Sequence, residues 1–444
     1  MALLALALGA VGPALTLSLS EGEGAEPLAK RYGFENGLTL LVAEKRALPI
    51  VTIHVVVKAG SLVEPKEKAG LANLVASLLT RGTKTRSAVE ISEAIEFVGG
   101  SLSSEGGADV ASLSLTILRK DLDLGLDLLA DVLLHPAFEE QEIQRKIKEI
   151  VGAIRKKQEE PGEVAEEAFD ALVFGDHPYG RPIEGAEEAL KGIARADIQV
   201  FYEAYYRPER TIVAVVGDVG GEEMVAKLTS FLGSWKRGES REPSLPTPPP
   251  LEGPKVKKIH RSLTQANIVL GHLGIKRENP DFYAVQVMNY ILGSGGFASR
   301  LMANIRDEKG WAYDVRSHFI TRLYPGPFMA SLQTRNETAQ PAIEEVLKEI
   351  RRMRDEPVSE EELKEAKAYL TGSFPLRLDT NAEIARLLTS VELFGLGLDY
   401  VERYPKLIEA VTREEVLRVA KRYLDPERFV LVVVADQEKA QVKF

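Results

Sequence analysis

The sequence predicts an α+β protein made of two homologous domains of mixed β-sheet covered by helices, related by internal duplication and joined by an extended linker. Three observations predict this. "YRPERTIVAVVGD" (Tyr206–Asp218) is echoed by "LDPERFVLVVVAD" (Leu424–Asp436), each a Pro-Glu-Arg turn followed by a β-branched run that reads as a buried strand. "PAFEEQEIQRKIKEI" (Pro136–Ile150) is echoed in the same order by "PVSEEELKEAKAYL" (Pro357–Leu370). Between the halves, "KRGESREPSLPTPPPLEGPKVKK" (Lys236–Lys258) is rich in proline and charge and poor in apolar residues, as a linker is. A repeat this long indicates a duplicated domain rather than a solenoid. The expected units are a leader at 1–25, a first domain at 28–235, a linker at 236–258 and a second domain at 259–444.

The first half reads element by element. "LTLLVAEK" and "IVTIHVVVKAG" are apolar, β-branched strands. "GLANLVASLLTRG" has helical apolar spacing, with Leu71, Leu74, Leu78 and Leu79 on or near one face. "SAVEISEAIEFVG" is a second helix, ended by Gly99-Gly100. "DVASLSLTIL" alternates as a half-buried strand. "DLDLGLDLLADVLL" and "QEIQRKIKEIVGAIRKK" are helices, the latter with a charged, solvated face. The helical "ADIQVFYEAY" then leads into the first echoed strand. Strands mixed with helix pairs imply helices covering one face of each sheet.

Composition narrows the function classes. The chain has 444 residues, 45% of them hydrophobic, and a formal net charge of -10. That balance argues against a nucleic-acid binder, which carries a basic patch, and favours cationic partners or substrates. The absence of cysteine excludes disulfides and thiolate metal sites. "ALLALALGAVGPALTLSLS" has the length of a signal-peptide apolar region and is followed by acidic "EGEGAEP", although no basic residue precedes it. It is read as an export signal, placing the protein in a bacterial periplasm, with the cytoplasm as the alternative. It is too short and too broken to span a membrane.

"KAGSLVEPKEKAGLANLVASLLTRGT", "GDHPYGRPIEG" (Gly175–Gly185), "YRPERTIVAVVGDV" and "LGSGGFASRLMANIRDEKGWAYDV" (Leu292–Val315) occur in an order and spacing that is specific. From about Gly33 to Ala435 the chain resembles the pitrilysin/insulinase-type zinc peptidases, in the branch containing mitochondrial processing peptidase. The resemblance implies two homologous α+β domains. It also implies an inverted zinc motif, His-x-x-Glu-His, on the first long helix, because His at i and i+4 share a face and the Glu between them acts as general base. Here those positions hold Asn73, Ala76 and Ser77. The later acidic ligand falls at Gly152 or Ala153. Asn and Ser are poor zinc ligands, and Ala is neither ligand nor base. The six histidines (His54, His135, His177, His260, His272 and His318) are scattered, and each reads as a hydrogen-bonding residue rather than a ligand. No metal is expected on this chain.

The resemblance also implies an Arg and a Tyr seven residues apart in the second domain, which bind substrate near the metal. "RDEKGWAY" supplies Arg306 and Tyr313. "SRLMANIRDEK" reads as a helix ending at Gly310 and "WAYDVRSHF" as the next strand, so a bend can bring both side chains to one ligand. Arg offers a fork of donors for a carbonyl, and a Tyr hydroxyl can donate to an oxyanion. "GSGGFAS", with Gly293, Gly295 and Gly296, lacks the phosphate-loop ending. It reads either as a chamber loop or as a plain turn. The combined expectation is a zinc-lacking subunit of a heterodimeric metallopeptidase. It would supply Arg306 and Tyr313 to a homologous partner that carries zinc and cleaves peptides. The alternatives are a structural, core-type subunit and a homodimeric peptide-binding pseudoenzyme.

Overall fold

The computed structural model describes residues 28–238 and 244–444; the leader expected at 1–25 lies outside them. Two sheets are built in chain order. The first contains β1 (Lys30–Gly33), β2 (Thr39–Glu44), β3 (Ile50–Val57), β4 (Ser101–Gly106), β5 (Ala111–Leu118) and β6 (Thr211–Gly217), arranged β1-β2-β6-β3-β5-β4. The second contains β7 (Lys255–His260), β8 (Gln265–Leu273), β9 (Ala312–Phe319), β10 (Pro327–Arg335) and β11 (Val430–Ala435), arranged β7-β11-β8-β10-β9. Setting β1 aside, the two orders are the same pattern. In each, one pair is parallel, β2 with β6 and β7 with β11, and the remaining pairs are antiparallel. The echoed strands β6 and β11 therefore occupy equivalent places.

The first half carries α1 (Leu71–Leu78), α2 (Ala88–Phe97), α3 (Leu122–Leu134), α4 (Glu140–Glu159), α5 (Pro161–Phe174), α6 (Glu187–Lys191), α7 (Arg195–Tyr205) and α8 (Gly221–Leu232). The second carries α9 (Phe282–Asn289), α10 (Ala339–Asp355), α11 (Glu360–Ser373), α12 (Asn381–Leu393), α13 (Tyr400–Glu409), α14 (Arg413–Tyr423) and the short α15 (Gln437–Ala440). Helix α2 starts where its sequence dictates. Ser87 caps it and Glu90 reaches back to complete a capping box, while Gly99 leaves it at φ 68°.

Both faces of each sheet are covered, not one. On one face of the first sheet, Leu40, Ile53, Val55, Val213 and Val215 pack with α1 and α3. On the other, Leu41, Ala43, Ile212, Ala214 and Val216 meet Ile384, Ala385 and Leu388 of α12, a helix of the second half. The exchange is reciprocal. Ala165, Phe169, Val173 and Phe174 of α5 cover Val269, Met329, Val430, Val432 and Val434 of the second sheet. This is why β6 and β11 read as unbroken apolar runs: every residue in both is buried, as in strands sandwiched on two sides. Polar contacts pin the exchange. Arg31 pairs with Glu392 at 2.8 Å, and His54 Nδ1 lies 3.0 Å from Thr389 Oγ1.

The linker expected at 236–258 ends earlier. Lys255–Lys258 already belong to β7, an edge strand whose exposed lysines are interrupted only by half-buried Val256 and Ile259, so charge hides it. The segment "GDHPYGRPIEG" joins the halves. Tyr179 donates to Asp109 in the β4–β5 turn, Asp109 accepts the Leu323 N–H at 3.1 Å, and the Arg322 guanidinium lies 4.7 Å from the Tyr179 ring centre. Among the described residues no helix is long and apolar enough to cross a membrane.

Candidate functional site

Two places carry the residues singled out by sequence: α1 with α4, and the turn from Tyr290 to Tyr313.

Helix α1 is preceded by Gly70, which holds φ 96°, a conformation that a side chain disfavours. Gly70 has no side chain to cap the helix. Glu64 does so instead, accepting the backbone N–H of Gly70 at 3.0 Å and of Ala72 at 2.9 Å. Glu64 is buried, and burial pushes its carboxyl up to about 7 against the pull of those amides. Sequence reasoning passed over this residue. The signal available was an acidic side chain shortly before a helix that lacks a polar cap.

Asn73 and Ser77 lie one turn apart on the partly exposed strip of α1, while Ala76 is fully buried in the core. The helix lies hard against the edge strand β4: a Cβ on Gly106 would come within 2.5 Å of Asn73 Cα. Helix α4 packs beside α1 and buries Ile143, Ile147, Ile150 and Val151. Gly152 and Ala153 face outward, and nothing lies within 4 Å of a side chain added at Gly152. The nearest preceding carboxylate on α4, Glu149, is engaged with Arg81 at 3.3 Å and with Lys146. Among the described residues no three His, Cys, Asp or Glu side chains form a group that could hold a metal. The residues on α1 and α4 do not fit a zinc ion.

The histidines are dispersed. His54 is held neutral, its imidazolium pushed down to about 4 by burial and then by Arg386. His177 is likewise pushed down to about 4 and accepts the Tyr179 N–H at 3.2 Å. His272 accepts the Asp425 N–H at 3.0 Å through Nε2.

The second place is assembled from unusual backbone. Helix α9 runs on into a π-helical turn, Tyr290–Ser294, and "SRLMANIRDEK" is π-helical over Met302–Glu308 rather than the plain helix expected. Such wide turns are rare and concentrate at functional sites. The second one closes with Gly310 at φ 63°, its N–H on the Arg306 carbonyl at 2.9 Å and the Trp311 N–H on the Ile305 carbonyl at 3.0 Å. Arg306 thus sits in the last turn and Tyr313 in β9. The β9–β10 pairing shifts register here: Asp314 faces Gln333 and Ala312 faces Thr334, so Tyr313 is the unpaired bulge residue. The bulge takes Tyr313 out of the pleat and leaves it 79% exposed. The Arg306 guanidinium lies 5.4 Å from the Tyr313 ring centre and 4.5 Å from that of Phe297, itself 68% exposed. Arg306 makes no ion pair with any described residue.

The three glycines differ in purpose. Gly293 is a packing glycine, since a Cβ there would lie 2.6 Å from Ser317 N in β9. Gly295 packs against the Tyr290 carbonyl at 2.7 Å by the same measure. Gly296 supplies φ 57° with open space around it. The loop is therefore a braced turn that presents Phe297 beside Arg306, a residue the sequence reading did not single out.

Comparison with known proteins agrees with this architecture. Residues 40–187 match the insulinase (peptidase family M16) domain, and residues 192–370 match the peptidase M16 inactive domain. An uncharacterized zinc protease of Mycobacterium leprae is 31% identical over 419 residues, covering 91% of this chain and 93% of that one. One from Bacillus subtilis is 27% identical, covering 92% and 98%. Among solved structures, a peptidase M16 inactive domain from Pseudomonas fluorescens superposes with TM-score 0.86 at 26% identity, covering 92% of this chain and 98% of that one. A protease from Helicobacter pylori gives TM-score 0.84 at 21% identity over 92% and 99%, a likeness of fold.

Proposed function

Because the chain belongs to the insulinase, or M16, family of peptidases and has no side chains on α1 that would hold a metal, we propose that it is the zinc-free subunit of a two-subunit metallopeptidase. A homologous partner bears the zinc and the hydrolytic centre. This chain contributes Arg306 and Tyr313 to the peptide lying between them.

One observation carries the reading: the guanidinium of Arg306 and the ring of the exposed Tyr313 stand together, and no acidic side chain among the described residues pairs with the Arg. An Arg left without a counter-ion keeps its fork of N–H donors free for a carbonyl of the substrate. The Tyr313 hydroxyl is a donor for the oxygen on which negative charge develops. Two groups positioned on separate elements, a helix end and a bulged strand, orient a peptide better than either alone. The net charge of -10 draws cationic peptides toward the complex.

The test is kinetic. Arg306→Ala and Tyr313→Phe are expected to lower kcat/KM of the complex about ten- to hundred-fold, the range for losing a charged or oxyanion-directed hydrogen bond. The subunits should remain associated. Unchanged kcat/KM in both variants ends the proposal.

A further inference from the structure

We propose that Phe297 is a positioning residue for Arg306, which it holds by its ring face; this rests on the reading that Arg306 binds substrate. The chemistry of the contact is the reason. A carboxylate would fix an Arg by consuming the donors needed for a ligand. A ring fixes the same guanidinium through its face and leaves every N–H free. Among the described residues Arg306 has two rings beside it and no carboxylate in an ion pair with it: Phe297 lies at 4.5 Å and Tyr313 at 5.4 Å.

The loop that carries Phe297 is built to hold it still. Gly293 seats the preceding π-turn directly on Ser317 of β9, the strand that also carries Tyr313. Gly296 makes the reversal at φ 57°. Ser299, fully buried, closes the turn with its hydroxyl on the Gly296 carbonyl at 2.7 Å and its N–H on the same oxygen at 3.0 Å. Phe297 lies between these fixed points yet is 68% exposed, so core packing does not account for it. The shorter of the two Arg306 contacts is the one it makes. A side chain as flexible as Arg loses rotamer freedom when it binds, and a ring that restrains it beforehand reduces that loss.

The test is a mutant cycle on the complex of this chain with its zinc-bearing partner, using an internally quenched peptide and separating kcat from KM. The variants are Phe297→Ala, Phe297→Leu and Phe297→Trp, each alone and with Arg306→Ala. Phe297→Ala and Phe297→Leu should each lower kcat/KM about two- to five-fold, the worth of an exposed cation–ring contact. Phe297→Trp should retain activity, because it keeps an aromatic face. In the Arg306→Ala background the Phe297 changes should have no further effect. Thermal midpoints should not move, since the side chain is mostly in solvent. A fully active Phe297→Leu, or a loss that persists on top of Arg306→Ala, overturns the inference and leaves the Arg306 reading standing. A silent Arg306→Ala overturns both.

Discussion

Replacing Phe169 by Ala tests the helix exchange that unites the two halves. Phe169 is fully buried on α5, in first-half sequence, yet the strand residues of its cluster are Val269, Met329, Val430, Val432 and Val434 of the second sheet. Phe→Ala in a core costs about 3–5 kcal/mol, the larger values arising where surrounding groups cannot collapse into the cavity. Here the far wall is three hydrogen-bonded strands, β8, β10 and β11, which cannot move independently. The expected loss is therefore about 4 kcal/mol, a large part of a typical total stability. Denaturant unfolding measures the loss, and amide exchange read by mass spectrometry locates it. Protection should fall in β8 and β11, which are distant in sequence from the substitution. A loss below about 1 kcal/mol, the scale of an ordinary surface change, or a drop in protection confined to residues 28–238, would refute the exchange.

Other expectations follow from the same geometry. Asp170 on α5 is pushed up to about 7, by burial above all, and one of its oxygens has no hydrogen-bond partner. A carboxyl raised on folding contributes stability that is complete below the ordinary carboxylate range and is lost as pH rises through about 7. Asp170→Asn should therefore narrow the stability difference between pH 5 and pH 8 by about 2–3 kcal/mol, the two units from pH 5 to about 7 at about 1.4 kcal/mol each; an unchanged pH slope in denaturant titrations would count against it. Ala76→Glu would bury an unpaired carboxylate in a fully packed position and should cost several kcal/mol, about the penalty of an uncompensated charge; an unaltered thermal midpoint would contradict the placement of Ala76. Treating the isolated chain with a chelator should leave its thermal midpoint in place, whereas a fall would mean that a metal contributes to the fold.

What was legible in the sequence depended on where burial imposed a pattern. Strands β3, β5, β6 and β11 announce themselves because their residues face packed helices. β1, β4 and β7 do not. "KRYG", "SLSSEG" and "KVKKIH" lie at or near sheet edges, where one side is open and polar residues are tolerated. The amphipathic pattern of α5 and α12 shows that each buries a face but not which sheet it covers, so the exchange was invisible and one covered face was expected. The placing of Arg306 at a helix end and Tyr313 in a strand followed from local pattern, helped by the family resemblance. The bulge at Tyr313 and the π-turn at Met302–Glu308 did not, because both are set by pairing with β10 and packing on β9 rather than by composition. Phe297 was hidden in a stretch dominated by glycine.

Affinity capture of the chain from its native extract, with mass spectrometry and zinc analysis of the product, tests the proposed pairing most directly. The expected product is a stoichiometric partner of the same family with an intact His-x-x-Glu-His helix, and one zinc per pair. A zinc-free homodimer, or an assembly whose other members also lack that motif, would contradict it.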